Sequence, residues 1–489
     1  MKGLLKGTLA YLIRAALYSA LGALVVLVTV FVIYLDSRPD LKVWHLAELD
    51  AEFTEDSPVA DFAGYLAVED RLFAQLDELV IAKVKASDRT LINRYHRGSL
   101  SDPERWPRNW NRSFELPSEN PRAGVLLLHG MSDSPYSLRS LGQRLHDAGA
   151  WVIGLRVPGH GTAPSGLVEV RWQDMAAAVR LAMRHLSSKT GGEPLYIVGY
   201  SNGGALAVHY ALSTLQQPEL PAAQGLMLIS PAIGVSPAAA LAVWQARLGH
   251  LLGLDKLAWN SILPEYDPYK YGSFAVNAGD QVFRLTREIR GTLERLAKSG
   301  DLARFPPVLA FQSVVDATVS SPALVDGLFG QLPRGGHELV LFDINRVTDV
   351  EPLLTWDPAV EIGAMLQNMD LTFTLSFLTN ESEDSVQLVL HQKRVGENKI
   401  STSPAGLFWP EDVYSLSHVA LPFAPTDPLY GGAEAEQSPG LRLGNLALRG
   451  ERGTLRITAS DMLRLRWNPF YSYFESRMLQ FVGLGSGSG

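Results

Sequence analysis

Residues Pro194 to Gly204 read PLYIVGYSNGG. The first half holds a short apolar run, Leu195-Tyr196-Ile197-Val198, of the kind that forms a fully buried strand. Gly199-Tyr200-Ser201-Asn202-Gly203 follows, a G-x-S-x-G pentapeptide, and Ala205 to Leu215 has helical composition. Strand, sharp turn with a central serine, then helix is the arrangement that presents a nucleophilic serine on a strained turn. The glycines fit sterically, because side chains two residues either side of the serine would meet the neighbouring strand and helix. The pentapeptide alone is a weak signal. Its place at a strand-to-helix junction makes Ser201 the candidate nucleophile.

The surroundings repeat the strand-then-helix rhythm. Gly124 to Leu128 is a continuous apolar run ending in His129-Gly130-Met131, and Tyr136 to Asp147 is helical with Leu138, Leu141 and Leu145 on one side. Trp151 to Val157 is a second strand, closed by Pro158-Gly159-His160-Gly161. Trp172 to Ser187 reads as a helix and Gly225 to Ser230 as a strand. This alternation predicts a parallel sheet with helices on both faces, an α/β fold. The rhythm breaks over Ala232 to Arg304, where helical pieces at Pro237 to Leu252 and Gln281 to Lys298 flank an aromatic stretch with Trp259, Tyr266, Tyr269, Tyr271 and Phe274. A helical cap over the sheet edge is expected there. The sheet resumes at Val308 to Val314, running into Val315-Asp316. A helix from Ser321 to Leu332 then leads to a last parallel strand, Glu338 to Ile344. Beyond it, Leu371 to Phe377 alternates cleanly and Val386 to Arg394 is strand-like, which predicts a half-buried antiparallel hairpin. Thr454 to Ile457 reads as a strand and Pro469 to Val482 as an aromatic helix.

Ahead of this unit, Ala15 to Leu35 is uncharged and almost wholly apolar, about the 20 residues that cross a bilayer. Lys2, Lys6 and Arg14 precede it with no acid, which predicts a cytoplasmic N-terminus and an extracytoplasmic (in a bacterium, periplasmic) remainder. A cleaved signal would end in small residues, and a core helix would have a polar face; the run ends in Ile33-Tyr34-Leu35-Asp36 and has no polar face. An uncleaved anchor is therefore expected over a cleaved signal or a core helix. Tyr34 and Trp44 suit an interfacial belt or a structural role. Asp61 to Val84 has helical periodicity, and Tyr95 to Glu115, with Trp106 and Trp110, reads as an extended arm over the main domain. The 489 residues carry a net charge of −8 and no basic surface suggesting nucleic acid. With no cysteine, disulfides, thiolate metal sites and cysteine nucleophiles are excluded.

Serine needs a base, and the base needs an orienting acid. Asp316 directly follows an apolar strand downstream of Ser201, as the order serine, acid, histidine requires. Three histidines follow it. His337 stands at the amino end of its strand, the wrong end for chemistry on such a sheet. His391 lies within the predicted hairpin, and His418 lies in a loop, where catalytic groups concentrate. His418 is the preferred base and His391 the alternative. An oxyanion needs donors already in place; the N–H groups of Asn202 and Met131 are the candidates. His129 and His160 precede the serine and read as structural, bonded to backbone. No H-E-x-x-H, carboxylate cluster or phosphate loop occurs, so no metal or cofactor is implied.

Taken together, Val125-Leu126-Leu127-Leu128-His129-Gly130-Met131, Val157-Pro158-Gly159-His160-Gly161, Trp172-Gln173-Asp174-Met175, Gly199 to Gly204 and Val314-Val315-Asp316-Ala317-Thr318-Val319 resemble the α/β-hydrolase superfamily. Within it, the likeness is to the monoglyceride-lipase, lysophospholipase and serine-aminopeptidase branch, over about residues 123 to 345. The resemblance implies ester or lipid hydrolysis through an acyl-enzyme on Ser201, with no cofactor. The expected organisation is a cytoplasmic stretch 1–14, an anchor 15–35, a helical arm 36–122, hydrolase core 123–231 and 306–345, a helical cap 232–305, a β-hairpin insertion 346–416, the C-terminal part of the core 417–484 and a linker-like tail 485–489. The expected substrate is a carboxylic ester, such as a monoacylglycerol or lysophospholipid, met at a membrane. A peptidase or amidase would need acidic groups for a peptide amine; Glu265 and Asp267 are candidates, although they read more simply as solvated loop charges. A catalytically inactive membrane-tethered scaffold is the rival from another class. The sequence leaves the oligomeric state open.

Overall fold

The computed structural model describes residues 2–234, 254–316, 319–348, 354, 356–411, 413–444 and 465–485. Among these, the strands are β1 (Phe114–Leu116), β2 (Ala123–Leu128), β3 (Ala150–Leu155), β4 (Leu195–Tyr200), β5 (Gly225–Ile229), β6 (Trp259–Ser261), β7 (Phe274–Ala275), β8 (Val308–Ser313), β9 (Glu338–Phe342), β10 (Thr374–Asn380), β11 (Gln387–Lys393) and β12 (Ile400–Phe408). Ten of them form one sheet in the order β1-β3-β2-β4-β5-β8-β9-β10-β11-β12. From β3 to β10 every neighbouring pair is parallel. β1 closes one edge antiparallel to β3, and β11 and β12 extend the other edge as antiparallel strands. β6 and β7 pair separately as a short ribbon. The chain has the α/β-hydrolase fold.

The central strands are buried on both faces, which is why they read as continuous apolar runs. Period-two alternation divides them between two cores. Leu126, Leu128, Ile197 and Leu228 pack toward the helices Trp172–Thr190, Asn202–Gln216 and Val276–Ser299, joined by Phe62 and Tyr65 of the arm helix Phe62–Leu79. Val125, Leu127, Val198 and Ile229 face the helices Arg139–Asp147 and Tyr471–Val482.

Several expectations are corrected. Thr374–Asn380 and Gln387–Lys393 form the expected antiparallel hairpin, but β10 also continues the main sheet parallel to β9, so Glu338–Phe342 is not the last parallel strand. The clean alternation of 371–377 does not mark a wet face, because Ser376 is buried and donates to Glu338 Oε1 at 2.7 Å, and it says nothing about the partner strand. β12 has no clear pattern in ISTSPAGLF, where Pro404 and several hydroxyls interrupt the apolar residues. Helix Val276–Ser299, expected as part of a cap over the sheet edge, packs Leu285, Ile289 and Leu293 into the core beside helix Asn202–Gln216. The predicted helix 237–252 and strand 454–457 lie outside the described residues. Trp44 is not interfacial: it is buried and stacks on Tyr95 at 5.2 Å.

Helix Lys2–Ser37 stands away from this body, and none of its apolar stretch Tyr11–Ser37 is buried. Its length and composition suit a membrane span or a signal sequence. The arm that follows is held by a buried charge. Arg156, fully buried at the carboxyl end of β3, donates to Glu52 Oε1 and Oε2 at 2.9 and 3.0 Å and to Glu69 Oε2 at 3.1 Å. Glu69 also accepts from the Ser113 N–H and hydroxyl, and Glu52 from the Gly159 N–H. Burial pushes the Glu52 carboxyl up, but the Arg156 charge and its paired bonds override this and hold it below the usual carboxylate value. Removing the arginine would leave two carboxylates without a counter-charge. Arg156→Met is expected to destabilise the folded chain by about 3–5 kcal/mol, measured by denaturant unfolding of the full chain.

Candidate active site

Ser201 occupies the turn between β4 and helix Asn202–Gln216 with φ 52° and ψ −116°, a conformation that L-residues other than glycine avoid. The surroundings hold it there. Its N–H donates to Ile229 O at 2.9 Å, and its carbonyl accepts from the Ala232 N–H at 2.8 Å. The flanking glycines permit the approach. A Cβ on Gly203 would lie 2.0 Å from Leu128 O, and one on Gly199 would lie 2.4 Å from Gly203 O. The predicted clash with neighbouring strand and helix therefore has named partners.

His418 Nε2 lies 3.1 Å from Ser201 Oγ, and His418 Nδ1 lies 2.8 Å from Asp316 Oδ2. The three side chains form one hydrogen-bonded chain drawn from residues 102 and 217 positions apart. Asp316 is buried, and its carboxylate is aimed from two further sides. Gln312 Nε2 of β8 donates to Oδ2 at 3.0 Å, and the Val319 N–H donates to Oδ1 at 3.0 Å. With Nδ1 facing a carboxylate, the imidazole carries its proton there and offers Nε2 to the serine. Met131 and Asn202 both lie at this end of the sheet. Asn202 opens its helix, so its N–H has no carbonyl one turn back. Among the described residues the Met131 N–H also makes no hydrogen bond.

The other histidines lie elsewhere. His391 sits on β11 with Nδ1 2.8 Å from Thr402 Oγ1 of β12. His337 accepts from the Val308 N–H at the amino ends of β8 and β9. His129 Nδ1 is 2.9 Å from Gly130 O, and its Nε2 accepts from the Val157 N–H at 3.0 Å. His160 Nδ1 is 2.9 Å from Pro158 O. Both are buried, and their rings meet edge to face at 5.1 Å. They brace the two loops after β2 and β3.

Three positioning contacts have no sequence signal. The Asn345 N–H donates to Tyr414 O at 2.6 Å and its Nδ2 to Val413 O at 2.9 Å. These bonds join the chain leaving β9 to the chain returning toward His418, across everything from 346 to 412. Farther along the same loop, Asp427 accepts from Tyr136 Oη at 2.9 Å, from Arg139 at 2.9 Å and from the Tyr430 N–H at 2.8 Å. It ties the histidine loop to the segment following Met131. Tyr136 stacks on Tyr269 at 4.2 Å, which adds the stretch between β6 and β7. Glu265 and Asp267 in that stretch are not solvated. Both are buried; Glu265 accepts from the Gly272 and Ser273 N–H groups, and Asp267 from the Tyr269 N–H and Tyr430 Oη.

Part of the chain is similar to known proteins. Residues 119–321 match the model of a family described as serine aminopeptidase, S33. Over this stretch the chain is similar to the serine-aminopeptidase branch of the α/β-hydrolase superfamily. A thermostable monoacylglycerol lipase of Bacillus sp. (strain H-257) is 26% identical over 223 residues, which are 46% of this chain and 82% of the lipase. Among solved structures, a monoacylglycerol lipase of Paleococcus ferrophilus is 23% identical with a TM-score of 0.36, covering 47% of this chain and 88% of the other. A soluble variant of monoglyceride lipase from Saccharomyces cerevisiae is 18% identical with a TM-score of 0.35, covering 47% and 82%. The hydrolase domain thus has its likeness in under half of the chain.

The buried histidines make stability fall in acid. Burial lowers His160 from 6.5 to about 4 against the lift from its bond to Pro158 O, and lowers His129 well below its ordinary value, helped by His160. The unfolded chain takes up these protons near pH 6.5 while the folded chain resists, so their contribution is whole above that pH. It is expected to fall steadily from about pH 6.5 to about pH 4, by on the order of 3 kcal/mol for His160 alone. Denaturant midpoints measured across that range would check this.

Proposed function

We propose that this chain is a membrane-anchored serine hydrolase that cleaves carboxylic esters of lipids, monoacylglycerols or lysophospholipids, through an acyl-enzyme on Ser201. The observation that carries the proposal is the continuous hydrogen-bonded chain from Ser201 Oγ through His418 to Asp316. In this mechanism Ser201 Oγ attacks the ester carbonyl as its proton passes to His418 Nε2. Asp316 holds the imidazole and stabilises its positive charge. The N–H groups of Met131 and Asn202 receive the oxyanion. The imidazolium then protonates the departing alcohol, and water activated by the same histidine releases the acid. The relationship to a monoacylglycerol lipase supports the choice of lipid esters. The apolar helix near the N-terminus supports it from another side, as an uncleaved span with its N-terminus in the cytoplasm and the hydrolase domain on the extracytoplasmic side. The arm 36–122 would then brace the core, and the stretch 254–275 would stand between anchor and site. The matched family's description would allow a peptidase, but the carboxylates of Glu265 and Asp267 are already bonded within the fold and are not offered to a peptide amine.

A fluorophosphonate probe should label the full chain once, and Ser201→Ala should abolish both the label and activity, with kcat falling by roughly 10⁴–10⁶. His418→Ala should do nearly the same while His391→Ala leaves turnover unchanged; the reverse would overturn the assignment of the base. Gly203→Ala, whose Cβ alone would lie 2.0 Å from the Leu128 carbonyl oxygen, should lose the label. Monoacylglycerols or lysophospholipids should be turned over in preference to aminoacyl amides, and preference for the amides would refute the lipid reading.

A further inference from the structure

The end of the apolar helix is clasped by the hydrolase domain. Helix Lys2–Ser37 has no basic side chain in its last turn, so its terminal carbonyls lack a cation of their own. Lys256, from the stretch between β5 and β6, supplies one. Its Nζ donates to Arg38 O at 2.9 Å, to Asp40 Oδ1 at 3.0 Å and, more weakly, to Leu35 O at 3.4 Å. Arg38 reaches the opposite way and donates to Lys256 O at 2.6 Å and to Trp259 O at 2.7 Å. Each residue donates to the other's carbonyl. A loose tether would make no such contact. Here backbone is gripped on both sides, which sets the direction in which the helix leaves the domain.

The clasp continues into a small rigid unit. Trp259 begins β6, paired with β7, and His45 packs edge-on against Trp259 at 4.8 Å. Ser273 Oγ lies 3.0 Å from His45 Nε2 and accepts from the Leu263 N–H at 3.0 Å. The turn containing His45 and the loop of the ribbon, which carries Leu263, are therefore joined through Ser273. Both carry an outward leucine, Leu46 and Leu263, each 52% exposed. A single exposed leucine needs no explanation. These two lie on segments joined to the clasp at the end of a helix of bilayer length. The same ribbon reaches the candidate site, since the Tyr271 N–H donates to Ser132 O at 2.8 Å, one residue past Met131.

We propose that Leu46, Leu263 and the Arg38–Lys256 clasp form a membrane-contact surface that docks the hydrolase domain in one orientation on the bilayer holding its own helix. The ribbon beside Met131 then lies at headgroup level, and esters resident in the membrane reach Ser201 without crossing bulk water. The proposal rests on the membrane-span reading given above.

The absence of cysteine makes the test clean, because a single introduced cysteine labels uniquely. The full chain is reconstituted into phosphatidylcholine–phosphatidylglycerol vesicles containing a nitroxide-bearing lipid. An environment-sensitive fluorophore is placed in Leu46→Cys, Leu263→Cys or, for comparison, Lys298→Cys, about 33 Å farther along helix Val276–Ser299. Strong quenching is expected at 46 and 263 and little at 298. Adding Lys256→Ala should reduce quenching at 263 to the level at 298 while the protein still floats with the vesicles and still takes the fluorophosphonate label. Lys256→Ala should also lower turnover of vesicle-embedded monoacylglycerol by roughly tenfold, as local concentration is lost, and spare a water-soluble butyrate ester. Flotation with 46 and 263 unquenched overturns the docking proposal and leaves the span standing. Quenching that survives Lys256→Ala overturns the role of the clasp. Failure to float overturns the span, and the docking proposal with it.

Discussion

The close approach of Gly203 to the Leu128 carbonyl is the constraint on which the site depends. Any side chain at position 203 would overlap the end of β2. Only with that contact can helix Asn202–Gln216 start directly against the sheet, and only then is Ser201 forced to positive φ. Strain of this kind costs on the order of 1–3 kcal/mol and persists only where the surroundings over-determine it. Here the bonds from Ser201 to Ile229 and Ala232 and two packed core layers do so. The same approach brings the loop after β2, with Met131, beside the first N–H of the helix. Nucleophile and candidate donors thus follow from one steric fact.

The remaining members of the chain from Ser201 arrive by routes that local rules do not prescribe. Asp316 follows β8 directly, so sheet order brings it near. His418 comes after a large excursion that adds three strands to the sheet. Its arrival depends on Asn345, which closes the stem of that excursion with two hydrogen bonds to 413 and 414. The excursion therefore adds sheet without displacing the histidine. Asp427 then fastens the same loop to Tyr136 and Arg139, so the segments bearing the candidate base and the candidate oxyanion donor Met131 share one buried anchor.

The arm before the sheet is integral to the fold. Phe62 and Tyr65 enter the core, and Glu52 and Glu69 neutralise Arg156 at the end of β3. A buried arginine is tolerable only with its partners in place, so core and arm depend on each other. The Arg38–Lys256 clasp continues this coupling to the apolar helix.

The amino-acid sequence by itself determined what local sterics and periodicity control. The apolar runs at 124–128, 195–198 and 308–314 read as doubly buried strands, and the glycines around Ser201 as marks of a tight strand-to-helix turn. Those features specified the parallel sheet and named Ser201, while Asp316 and His418 followed from chain order and loop position, with His391 left as an alternative base. What the tertiary structure decided was pairing and partnership. A strand's pattern does not say which neighbours it joins, so β10 was legible as a hairpin arm with β11 while its parallel pairing with β9 was not. The bonds made by Asn345, Gln312 and Asp427, and the burial of Trp44, Glu265 and Asp267, are likewise invisible in sequence. An asparagine or aspartate has the same appearance in a solvated loop as in a buried junction. Only the approach of segments distant along the chain removes water from it and gives it a partner.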